Sequence, residues 1–123
     1  MKIAKHTDLN VYQMAFKTAL EIYEFSKTFP KEEKYSLTDQ IRRSSRSVCA
    51  NLAEAFRKRR YPKAFIAKLS DSEGEAAETQ VWLEFSLNHN YINKVDFEKL
   101  NQDYNNIIGK LVIMSNQSEK WQV

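Results

Sequence analysis

SLTDQIRRSSRSVCANLAEAFRKRR, residues 36 to 60, decides how this chain folds. At about 100° per residue, Leu37, Ile41, Ser44, Ser45, Val48, Leu52, Ala55 and Phe56 fall on one side of a helix, the pattern of a core-facing stripe. The opposite side carries Arg43, Arg46, Ala50, Glu54 and Arg57. At about 1.5 Å per residue the segment reaches roughly 36 Å, long for a small domain. Ser36 followed by Asp39 predicts a capping box at its start. The outer side is basic and stepped with small residues (Ser47, Ala50, Ala53), where a solvated face more often carries long polar side chains. A helix greasy on one side, and basic and small on the other, predicts two partners. One is the rest of its own chain; the other is another subunit, a nucleic acid, or both.

Working outward, Asp8 is the expected N-cap of a first helix running to about Phe29. Leu9, Tyr12, Phe16, Ala19, Leu20 and Tyr23 form one apolar stripe on it, and Val11, Ala15, Ile22, Phe25 and Phe29 a second. Together they are wider than one packing seam requires, so this helix is expected to touch more than one neighbour. Pro30 and the charged KEEK after it end the helix. Beyond the central stretch, Tyr61-Pro62 interrupts the pattern, since the proline ring disfavours helix at Tyr61 and suits a first helical turn. A third helix follows from about Pro62 to His89. Phe65, Leu69, Ser72, Ala76, Leu83 and Leu87 form its buried stripe, Trp82 and Phe85 flank it, and Gly74 in mid-helix allows either close approach or a kink. Asn93 with Asp96 opens a fourth helix, whose core side is Val95, Leu100, Tyr104, Ile107, Ile108, Leu111, Val112 and Met114. Residues 1–7 and 116–123 lack periodicity and are expected as loose arms, with His6 exposed and Trp121 either folded back or touching another chain. Short connections between four helices predict an all-α, antiparallel, up-down-up-down four-helix bundle forming a single domain over residues 1–123.

Composition agrees. The chain has 123 residues but two glycines and two prolines, too few turn residues for an all-β fold. The lone cysteine, Cys49, excludes an intramolecular disulfide, and no apolar run approaches a signal peptide or membrane span; a cytoplasmic protein is expected. The net charge of +3 hides an uneven distribution. Arg42 to Lys68 holds nine basic residues against the single acid Glu54, whereas Asp71 to Glu84 holds five acids and no base. Such separation serves subunit contacts, neutralisation between adjacent helices, or a phosphate-binding patch.

Little chemistry beyond charge is encoded. His6 and His89 have no carboxylate at dyad spacing, the Glu-x-x-His pairs of a di-iron bundle are missing, and no phosphate loop or nucleophile elbow occurs. Cys49 lies on the flank of its helix without a histidine and reads as a packed small residue. No enzyme activity, cofactor or metal is expected. The basic cluster is the functional candidate. Arg43, Arg46 and Arg57 project from one helix face, and Lys58, Arg59, Arg60 and Lys63 crowd the corner that follows. Such a cluster would contact phosphate, with strong salt dependence and little sequence preference. Most aromatics follow core spacing, leaving Tyr61 as the one evident stacking platform. The alternative is a structural or adaptor protein whose arginines pair with the acids of the third helix, within the chain or across a subunit boundary. Glu54 is expected to pair with Arg57 or Lys58, or to orient an arginine in an interface. Asn51, at the edge of the core stripe, reads as a register-setting buried polar group or a boundary residue.

A family resemblance then emerges. Asp8-Leu9-x-Val11-Tyr12-Gln13-x-Ala15, Phe29-Pro30, Leu37-Thr38-x-Gln40-Ile41-Arg42-Arg43, Asn51-Leu52-Ala53-Glu54 and Glu78-Thr79-Gln80 occur in order along the chain. Together they resemble the four-helix-bundle family of proteins encoded in intervening sequences of bacterial 23S ribosomal RNA genes, also labelled S23 ribosomal protein. That family is similar in turn to the accessory variability determinant of diversity-generating retroelements. The resemblance implies a protomer that assembles into a ring-shaped homopentamer. It also implies a basic accessory factor whose partners include RNA or DNA and a reverse transcriptase or other protein. Arg42, Arg43, Asn51 and Glu54 are the motif positions expected at the shared assembly or binding surface, and Ala50 and Glu78 complete the candidate oligomer interface. Many relatives carry glycines after the position of Glu54; this chain has Ala55-Phe56-Arg57-Lys58-Arg59-Arg60 instead, which predicts that the helix runs on farther.

Overall fold

The computed structural model describes residues 3–123. The first two residues of the expected N-terminal arm lie outside the described residues. Four helices follow one another: α1 (Asn10–Ser26), α2 (Leu37–Arg57), α3 (Pro62–Asn88) and α4 (Lys94–Asn116). Single 3-10 turns lie at His6–Asp8, Lys31–Glu33 and Ser118–Trp121, and there is no strand among the described residues.

Side-chain pairs show that neighbours run antiparallel. Rising along α2, Ser44, Val48 and Glu54 meet Thr79, Ser72 and Lys68 of α3 in falling order. Arg42 meets Ser26 at the end of α1, while Cys49 faces a groove with Tyr12 and Phe16 nearer its start. Gln80 of α3 reaches the carbonyl of Asn101 and the side chain of Asn105 on α4 at 3.2 and 2.8 Å, across the short turn at residues 89–93. Glu21 of α1 pairs with Lys99 of α4, closing the ring of four.

The core runs the length of the bundle through Ile22, Ile41, Val48, Leu52, Leu69, Leu83, Leu100, Ile107 and Leu111, all essentially without solvent contact. Each such aliphatic side chain contributes about 1.5–3 kcal/mol by leaving water. The α2–α3 seam differs. It is lined with small hydroxyl residues, Ser44, Ser72 and Thr79, which allow close approach and find hydrogen-bond partners across the seam. Thr79 Oγ1 lies 2.8 Å from Ser44 Oγ, and Ser72 Oγ donates to the Val48 carbonyl at 2.8 Å.

Several sequence expectations change. Asp8 does not cap α1. It sits in the preceding 3-10 turn and accepts the Lys5 N–H at 3.3 Å, while Leu9 occupies the cap position. Ser36 makes no cap bond; Glu33 supplies the acceptor instead, taking the Ser36 hydroxyl at 2.6 Å and the Leu37 N–H at 3.4 Å. α1 stops at Ser26, short of Phe29, as Ser26 and Thr28 hydroxyls turn back on the Tyr23 and Phe25 carbonyls.

α2 ends at Arg57 and does not continue, although no glycine stops it. Pro62 requires Tyr61 to be extended, and Arg59 Nε satisfies the Phe56 carbonyl of the last turn at 2.8 Å. Of the two stripes on α1, the one containing Val11, Ala15 and Ile22 is buried. In the other, Phe16 is 48% and Leu20 55% exposed. On α4, Val95 and Val112 also face outward. The arms are not loose where described: Ile3 and Trp121 both pack on the core, and His6 sits edge-on to Tyr12 with ring centres 4.9 Å apart.

Candidate nucleic-acid interface

The basic cluster divides into two groups along α2. Arg42 and Arg57 are fifteen positions apart, a rise of about 22 Å, so the ends of the helix present separate surfaces.

At the C-terminal corner, Arg57, Lys58, Arg60 and Lys63 are exposed. None of them has an ion-pair partner among the described residues. Lys63 stands in the first turn of α3, where the helix dipole opposes a cation and would favour an incoming anion. Arg59 is different. Its guanidinium lies 3.6 Å from the Phe56 ring centre, its Nε is taken by the Phe56 carbonyl, and partial burial lowers its pKa. That side chain caps α2 and covers a core phenylalanine. Tyr61, exposed at the same corner, stands beside the free cations.

At the N-terminal half, Arg42, Arg43 and Arg46 line an open groove of about 580 Å³ together with Lys34, Tyr35 and Thr38. Asp39 is the one acid in its wall. Arg42 is held from below: its Nε donates to the buried Ser26 hydroxyl at 2.7 Å, and its guanidinium stacks 4.5 Å from the centre of Tyr23. Arg46 shares that ring at 5.5 Å. Arg43 leans the other way, bonding Glu78 at 3.1 Å and Gln40 at 3.2 Å.

The acids of α3 therefore take little of the charge. Among the described residues Glu78 pairs with Arg43, and Asp71 shares Lys68 with Glu54. Glu54 itself binds Lys68 at 2.8 Å instead of Arg57 or Lys58, and that contact, with its hydrogen bond, lowers the carboxyl's pKa. Asn51 bonds the Ser47 carbonyl of its own helix at 2.9 Å and reaches no partner helix. Ala50 is exposed in the wall of the arginine groove.

Beside the arginines lies a feature the sequence held only as surplus apolar width. Tyr12, Phe16, Ala19, Leu20 and Tyr23 form an outward strip on α1 that borders Arg46 and Cys49 of α2 around a shallow hollow of about 350 Å³. Among the described residues nothing covers it. A second missed feature is a ladder of rings at the end where α1 and α3 finish. Trp82, Phe85, His89, Tyr91 and Phe29 follow one another with centres 5.4 to 6.1 Å apart. No group of three or more potential ligands for a metal ion occurs among the described residues, and none of their helices is long and apolar enough to cross a membrane.

Comparison with known proteins accords with this architecture. Residues 7–112 match the family model of the 23S rRNA-intervening sequence protein. The chain belongs to that family. A crystal structure of a protein of unknown function from the S23 ribosomal protein family of Bacteroides thetaiotaomicron superposes with a TM-score of 0.79 at 30% identity, covering 87% of this chain and 96% of that one. No curated protein matches the chain. In this member of the 23S rRNA-intervening sequence protein family, the exposed cations gather at the corner between α2 and α3.

Proposed function

We propose that this family member is a non-enzymatic, cytoplasmic accessory protein that assembles into a homo-oligomer and binds RNA or DNA through repeated basic surfaces. The observation that carries the reading is the set of corner cations, Arg57, Lys58, Arg60 and Lys63, exposed and without anionic partners among the described residues, although the acid-rich α3 begins beside them. Uncompensated, closely spaced cations raise the local potential and attract a polyanion. Arg46 extends this surface along α2, Arg43 contributes where Glu78 leaves it free, and Arg59 acts chiefly by holding the corner in shape. The outward strip of α1 supports assembly, because exposed apolar patches of this kind mark protein–protein contacts. The homopentamer implied by the family resemblance would carry five copies of the cationic surface. Several weak contacts on one polymer then combine through effective concentration.

The test is fluorescence anisotropy with labelled RNA and duplex DNA at several salt concentrations. Affinity is expected to fall steeply with salt, with a slope that reports the phosphates neutralised. Changing Arg57, Lys58, Arg60 and Lys63 to glutamine should flatten that slope. Binding by this variant equal to wild type would take the contact away from the corner, and no binding by the wild type at low salt would leave the oligomer as a protein-only scaffold.

A further inference from the structure

The two ends of α2 differ in what they offer besides charge. At the corner, cations stand with Tyr61 alone. At the N-terminal half, the arginine groove ends on Tyr35, which is 85% exposed on the turn before α2. Tyr35 also walls a second groove of about 390 Å³, whose other side is built from Trp82, Phe85 and His89; its one acid, Glu33, is occupied by the Ser36 and Tyr91 hydroxyls. One exposed ring thus stands between a cationic channel and an aromatic one.

Arg42 is prepared for an anion. Its Nε bond to Ser26 and its stack on Tyr23 fix the guanidinium plane. Its two terminal nitrogens have no partner among the described residues, which leaves a planar fork of the kind that fits phosphate. Prior fixing of the side chain lowers the entropy lost on binding. Arg46 on the same tyrosine and Lys34, 5.3 Å from the Tyr35 ring, supply further charge along the channel. The aromatic groove supplies flat faces: Phe85 is half exposed, and His89 lies against it with ring centres 6.1 Å apart and planes 20° from parallel.

Bases inside a duplex are stacked on one another and cannot use such faces. We infer that this end of the bundle is a seat for a single strand of nucleic acid, with a phosphate on Arg42 and Arg46 and unstacked bases on Tyr35 and the Phe85–His89 faces. This rests on the nucleic-acid reading above and makes it more specific. The corner cations contribute non-specific attraction, while the Tyr35 end selects strands with free bases. Stacking tolerates any base, so the seat selects strand state and not sequence.

The test uses the full-length protein in anisotropy titrations at low salt, with a single-stranded RNA oligomer lacking self-complementarity and an RNA duplex of the same length. The wild type should bind the single strand more tightly. Tyr35→Ala and Phe85→Ala should each weaken single-strand binding roughly ten-fold and leave duplex binding nearly unchanged. Tyr35→Phe, which keeps the ring, should bind like wild type. Arg42→Lys, which keeps the charge but loses the fork and its anchor, should weaken the single strand more than the duplex. Unchanged single-strand binding by Tyr35→Ala, or equal losses on both probes, overturns the seat while the corner reading stands. Failure of the wild type to bind either probe removes both.

Discussion

Gly74 lies exposed in the middle of α3, and a Cβ built on it would meet nothing within 4 Å. Of the two roles its sequence position suggests, close helix approach is therefore absent, and the α2–α3 seam gets its closeness from Ser44, Ser72 and Thr79 instead. Gly74→Ala should stabilise the fold by about 0.5–1 kcal/mol, since alanine costs less backbone entropy in a helix; a denaturant midpoint that falls would show an unseen constraint. Thr79→Ala should do the opposite. It removes a buried bond to Ser44, at a cost of about 1–2 kcal/mol, read from the same curves. Cys49 gives a pH signature. Burial pushes its thiol up to about 11, whereas an unfolded cysteine titrates near 8.5. A raised folded pKa means that the stabilising difference is complete below the unfolded value and is lost as pH climbs toward the folded one. Stability should thus decline above about pH 8.5, and Cys49→Ala should reduce that decline.

At the scale of the element, α2 is capped by a residue outside it. The Ser36 hydroxyl and the Tyr91 phenol both donate to Glu33, lowering its pKa, and the Leu37 N–H adds to them. Glu33→Ala should destabilise the bundle by about 1 kcal/mol, the usual scale for a lost helix cap. A carboxyl lowered in the folded state stabilises above its unfolded pKa and ceases to do so as pH falls through the folded one. The difference between wild type and Glu33→Ala in thermal melts should therefore shrink on acidification; a constant difference would contradict the cap.

This cap also shows where sequence reading stops. The helices of α2, α3 and α4 were legible from apolar spacing, because one buried stripe leaves a clear period. A cap reaching forward from Glu33 leaves none, and Ser36–Asp39 has the spacing of a capping box without the geometry. On α1, two stripes fit the same period, and only the positions of α2 and α4 decide which is covered. The terminal segments pack through single anchors, Ile3 and Trp121, which no periodic pattern announces. At the site, the abundance of cations was plain. Their division into a corner and a groove was not, nor was the use of Arg59 as a cap, since both depend on which way each guanidinium turns. Phe85 escaped notice as an exposed ring because helical spacing alone does not separate it from a core one, and Tyr35 because it lies on a turn outside any periodic pattern.

For the molecule as a whole, the outer surface of α1 and α2 has two adjoining parts: an apolar strip that one chain leaves uncovered and a cationic tract that its own acids leave mostly unpaired. On the proposed function their adjacency would link assembly to binding, since packing copies side by side on the strip would repeat the tract around the assembly. Breaking assembly should then weaken polyanion binding even with every arginine in place. The mass of the purified protein by light scattering tests this most directly. The wild type should weigh several times the 14.5 kDa protomer, five times for the ring that the family resemblance implies, and Leu20→Glu should bring it down to one protomer. A wild-type mass of 14.5 kDa, or an assembly untouched by Leu20→Glu, would contradict the account.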